Sequence, residues 1–164
     1  MWRTKHLNLF EAIDSSFDEH VPRALLTNSR SFVSENRNDL MELLGGGTLV
    51  EYSDQEQKAV MQFDARPEFC HSDGKVVQGG FVTAWMDAAM AHAIRHASHG
   101  EYSAVTLELK VTFVSATGPG RVVAEGWVVS MGRTVAFLEG QLFDGAGKLL
   151  ATSSSTAKLA RVNP

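Results

Sequence analysis

The chain has 164 residues, 44% of them hydrophobic and 21% charged, which suits one ordinary domain and excludes collagen-like, disordered and disulfide-stapled classes. With 19 acidic residues against 15 basic ones the net charge is -4 without a basic stripe, which argues against nucleic-acid or anionic-membrane binding. The lone Cys70 cannot close a disulfide within the chain, no segment approaches a membrane span and the N-terminus lacks a secretory pattern, so a cytoplasmic location is expected.

A helical extension is predicted over residues 1–44, ahead of a domain over residues 45–164. Leu7, Phe10, Ile13 and Phe17 fall near helical spacing, and Pro22 suits the start of a second short helix containing Leu25 and Leu26. Asp39 to Leu44 then runs into Gly45-Gly46-Gly47, where glycine can take the left-handed backbone that ends a helix.

Thr48 to Tyr52 and Lys58 to Phe63 read as antiparallel strands joined by the turn Ser53-Asp54-Gln55-Glu56, whereas Pro67 to Val77 shows neither period and is expected to be loop. From Gly79 the pattern is helical. Phe81, Val82, Trp85, Met86, Ala89, Met90, Ala93 and Ile94, together with further alanines, cover nearly every side, which predicts a helix buried on most faces. Arg95, His96 and His99 precede Gly100, so cationic or titratable groups meet the negative helix end and glycine stops it.

Beyond Gly100 the period becomes two: Leu107, Leu109, Val111 and Phe113 alternate with Thr106, Glu108, Lys110 and Thr112. Three more strands follow at Val122–Ser130, Thr134–Phe143 and Leu149–Leu159. One apolar helix among two short and four longer strands is an α+β pattern, and an antiparallel sheet wrapped around the helix covers both.

Chemistry concentrates where the helix begins. Gly79 and Gly80 open it, so their amides lack intrahelical acceptors and can donate to an external oxygen at the positive helix end; a plain loop-to-helix turn is the alternative. Asp87 lies in an otherwise apolar run, and a carboxylate there must be paired, neutralised, hydrogen-bonded or facing a cavity; exposure on the helix, or pairing with a residue such as Lys110 or Arg133, is the structural alternative. Eight helical steps, about 12 Å of rise, separate Gly79 from Asp87. His92 is expected to be a hydrogen-bonded structural histidine. His96, His99, Cys70 and His71 show no paired zinc-ligand spacing, so no metal is expected. Phe81, Trp85, Met86 and Met90 suit either an apolar or aromatic-accepting pocket or the core. Arg133, in Gly132-Arg133-Thr134, suits either a ligand phosphate or a solvated turn.

The sequence resembles the hotdog-fold acyl-CoA thioesterases of the phenylacetate-pathway, or PaaI-like, type over about residues 48–159. The resemblance rests on Gly74, Val77-Gln78-Gly79-Gly80-Phe81 and Trp85-Met86-Asp87, then on Thr106-Leu107-Glu108-Leu109-Lys110-Val111-Thr112-Phe113. Gly132-Arg133-Thr134-Val135-Ala136 and Asp144-Gly145-Ala146-Gly147-Lys148-Leu149-Leu150-Ala151 complete it. It implies a long helix wrapped by an antiparallel sheet, assembled as a dimer or tetramer with sites between protomers. By position, Gly79 would polarise the thioester carbonyl through its amide, with Gly80 beside it. Asp87 would act as base or nucleophile and Thr106 would help hold the attacking water. No cofactor is implied, since coenzyme A is part of the acyl-CoA substrate, and the other implied partner is a second copy of the chain. Two positions depart from the pattern. Gln78 stands where many relatives have His, and His71 or Ser72 stands near a water-placing amide, in a loop one residue longer. The competing functions are a non-catalytic acyl-CoA-binding module and a hydratase, the latter needing His71 as a partner for Asp87.

Overall fold

A computed structural model describes residues 39–162; the helices predicted around residues 7–17 and 22–26 lie outside the described residues. Helix α1 (Asp39–Leu43) stops where expected, because Gly45 and Gly46 take φ values of 91° and 74° and the Gly46 amide donates to the Met41 carbonyl at 2.8 Å. Trp85 ties this turn down by donating its indole N–H to the Leu44 carbonyl at 2.7 Å, while Met41 and Leu44 pack on the core.

Strands β1 (Thr48–Ser53) and β2 (Lys58–Ala65) pair antiparallel as predicted. The stretch read as loop is more ordered than its sequence suggested. A 3-10 turn at Pro67–Phe69 leads into a two-residue hairpin, β3 (Cys70–His71) with β4 (Val76–Val77). Elements this short carry no readable period, which is why the sequence concealed them. Helix α2 (Gly79–Ala97) follows, then β5 (Tyr102–Phe113), β6 (Gly120–Met131), β7 (Val135–Asp144) and β8 (Leu149–Arg161).

The main sheet is antiparallel in the order β1-β2-β6-β7-β8-β5, so β1 and β5 are its edges. Helix α2 packs against it as the predicted α+β architecture requires, placing Val82, Trp85, Met86, Ala89, Met90, Ala93 and Ile94 in the core. Each large side chain of that set contributes about 2 kcal/mol through removal from water. Burial on nearly every face is not what the chain achieves by itself: Ala84, Ala88 and Ala91 are only partly covered and Arg95 is exposed. Alanine dominates that uncovered side, so the apolar count in the sequence overstated how much surface needed a partner.

One glycine sets how closely helix and sheet approach. Gly126 of β6 and Gly140 of β7 face each other in register beneath α2. A Cβ on Gly126 would fall 2.5 Å from the Met90 amide nitrogen and 2.6 Å from the Ala89 carbonyl carbon, so only glycine admits the helix backbone this close.

Candidate active site

The start of α2 is held from both sides. The Val77 amide donates to the Thr117 carbonyl at 2.8 Å, and the Gln78 amide donates to the Phe69 carbonyl at 2.9 Å. Gln78 is the N-cap, in extended backbone geometry, and its Oε1 accepts from the Gly80 amide at 2.6 Å. Gly80 therefore does not present a free N–H here, and the side chain of Gln78 is turned to the helix rather than outward. The Gly79 amide is different: among the described residues it has no acceptor. A donor without a partner at the positive end of a 19-residue helix is suited to an incoming carbonyl oxygen.

Asp87, two turns on, is half-buried and enters no ion pair among the described residues, so neither Lys110 nor Arg133 neutralises it. Its Oδ1 instead accepts a hydrogen bond from the Thr106 hydroxyl at 2.7 Å. Thr106 reaches it because β5 is bulged. Thr106 pairs with Ala157 and Glu108 with Thr156, leaving Leu107 as an extra residue. Strict alternation would have grouped Leu107 with Leu109 and Val111 on the inner face and turned Thr106 outward. The bulge reverses this: Thr106 faces α2, and Leu107 is 60% exposed.

The remaining residues separate from this pair. His71 is exposed at the β3–β4 hairpin with its Nδ1 2.8 Å from the Ser72 hydroxyl, so the two residues considered for placing water bond to one another. Arg133 is exposed between β6 and β7 and has no ion-pair partner among the described residues. His92 departs from expectation: its Nδ1 is buried with no hydrogen-bond partner among the described residues. Burial, then the nearby His96 and Arg95, push its pKa below the usual imidazole value. Trp85, Met86 and Met90 are core residues, and Phe81 stacks on Phe69 with ring centroids 4.2 Å apart. Among the described residues no group of three His, Cys, Asp or Glu side chains is placed to hold a metal, and no helix is long and apolar enough to cross a membrane.

A cavity of about 350 Å³ opens beside the free amide, walled by Val76, Val77, Gly79, Val82, Phe113 and Val114. Sequence reasoning missed this wall, because Phe113 reads as one more inward strand residue and the segment after it as a turn. Asp87 does not line the cavity. Within one chain, then, the free amide with its cavity and the carboxylate with its threonine stand apart, about 12 Å along the helix.

Residues 74–151 match the thioesterase superfamily. Among solved structures, a phenylacetic acid degradation-related protein of Ralstonia eutropha JMP134 is 25% identical, covering 73% of this chain and 89% of its own, with a TM-score of 0.67. A point mutant of the phenylacetic acid degradation protein PaaI from Thermus thermophilus is 26% identical over 76% of this chain and 99% of its own, with a TM-score of 0.63. Escherichia coli PaaI, at 16% identity over 77% of this chain and 86% of its own, shares the fold with a TM-score of 0.66. No curated protein matches the sequence. The chain has the hotdog fold of PaaI-like thioesterases, as the sequence resemblance implied, and thioesterase activity is the broad class that these matches support.

Proposed function

We propose that the chain hydrolyses acyl-CoA thioesters, and that two protomers build each site. The thioester oxygen accepts from the Gly79 amide of one protomer, which lowers the energy of the tetrahedral oxyanion. Asp87 of the other protomer takes a proton from water as the water oxygen bonds to the carbonyl carbon, or attacks that carbon itself to form an anhydride that water then opens. The C–S bond breaks, the thiol of coenzyme A leaves with a proton, and the free acid remains.

The observation that carries this reading is the state of Asp87: a half-buried carboxylate with one hydroxyl donor and no cation beside it among the described residues. Thr106 anchors one carboxylate oxygen and leaves the other for chemistry. Gln78 serves as the cap that aims the first turn, and Arg133, exposed in its turn, is available to a coenzyme A phosphate. His71, exposed on the β3–β4 hairpin and hydrogen-bonded to Ser72, is the candidate for placing water. The reaction needs no further cofactor, and the expected setting is the cytoplasm.

The test is thiol release from a panel of acyl-CoAs. Turnover by the unaltered chain and its near-complete loss in Asp87→Asn, with the melting temperature retained, would support the assignment. Equal turnover by the two proteins, or none by the unaltered chain on any thioester, would remove it.

A further inference from the structure

We propose that Phe113 is the specificity-determining residue of this site and that the acyl group it admits is uncharged and apolar. The inference rests on the thioesterase reading above and deepens it. Phe113 ends strand β5, where its ring lies directly over Gly79: a Cβ built on that glycine would come within 3.0 Å of the Phe113 Cζ and 3.3 Å of Cε1. The same ring is 55% exposed, and the surface it shows belongs to the wall of the 350 Å³ cavity beside the free amide.

That wall is valine, alanine and one aromatic ring. No Lys, Arg, His, Asp or Glu of the described residues lines it, and its polar side chains are the hydroxyls of Ser115 and Thr117. Such a surface gains by covering hydrocarbon and offers no counter-ion to a second carboxylate, whose desolvation would go uncompensated. It is equally poor for the pantetheine arm, whose amides need several hydrogen-bonding partners, and poorer still for the phosphates, which need cations. A thioester whose oxygen meets the Gly79 amide therefore lays its acyl side against Phe113, and the ring fixes how wide and how long that side can be.

The experiment measures kcat/KM for acetyl-, hexanoyl-, decanoyl- and succinyl-CoA with the unaltered chain, Phe113→Leu and Phe113→Ala, each checked for an unchanged melting temperature. The unaltered chain is expected to favour hexanoyl- over succinyl-CoA by about tenfold or more, and Phe113→Ala to move the decanoyl-to-acetyl ratio upward by about tenfold, with Phe113→Leu between. Succinyl-CoA turned over as well as hexanoyl-CoA would overturn the proposal. So would a Phe113→Ala variant whose KM rises by one common factor for every thioester, because the cavity would then hold the arm common to all of them. Hydrolysis that persists without discrimination sinks this inference alone, whereas absence of hydrolysis by the unaltered chain of these four and of every other thioester in the acyl-CoA panel sinks the thioesterase reading with it.

Discussion

Asp87 and Thr106 are joined by one 2.7 Å hydrogen bond, and the two residues were legible in the sequence to different degrees. An acid in a run of alanine and methionine announces itself, because its burial needs a reason. The direction of Thr106 did not, because a period of two cannot register an inserted residue, and the bulge at Leu107 turns the strand by one position. If the hydroxyl orients the carboxylate, Thr106→Val should lower kcat by about tenfold to a hundredfold with KM little changed, while Thr106→Ser keeps most of the rate; steady-state kinetics on one thioester checks both. His92 supplies a prediction about stability. Its pKa is lowered in the fold, so between that value and the ordinary imidazole value of 6.5 the unfolded chain binds more protons than the folded one. The contribution of neutral His92 is present above about pH 6.5 and is lost as the pH falls through that window. Melting temperature should therefore decline on acidification, and less steeply in His92→Gln; identical slopes would show that His92 is not the group responsible.

At the scale of the elements, the order of strands and the central helix followed from periodicity, while the features that position them did not. The hairpin of β3 and β4 is two residues a side, yet through Val77 and Gln78 it fixes where α2 begins and hence where the Gly79 amide points. The separation of helix and sheet depends on Gly126, which looks in sequence like an interruption of a strand and is in fact the clearance for the backbone of Ala89 and Met90. A methyl group at Gly126 would press on helix backbone, which cannot rotate away as a side chain can. Gly126→Ala should cost about 3 kcal/mol and lower the melting temperature by several degrees, by differential scanning calorimetry. Full stability in that variant would mean that α2 has room to move off the sheet, and that the site geometry is softer than described.

For the whole molecule, the decisive feature is that one chain carries the free Gly79 amide and the Asp87 carboxylate without bringing them together. The helix spacing between Gly79 and Asp87 was readable from the sequence, as was the resemblance that implies a composite site; the cavity wall and the uncovered alanine face were not, since both depend on what the folded chain leaves exposed. Strand β5 is the sheet edge beside Asp87, and Val105 and Leu107 on it are 49% and 60% exposed, the kind of edge that a second copy can cover. Mixing two inactive proteins tests this arrangement most directly: Asp87→Asn, which leaves the amide open, and Gly79→Val, which keeps the carboxylate but whose side chain, against the Phe113 ring, blocks approach to the amide. If each site takes one residue from each protomer, a mixed dimer has one site with both defects and one with none, and random reassociation should restore about a quarter of the unaltered activity. If both residues of a site come from the same chain, every site in the mixture stays defective, and activity no higher than that of the separate variants would contradict the account.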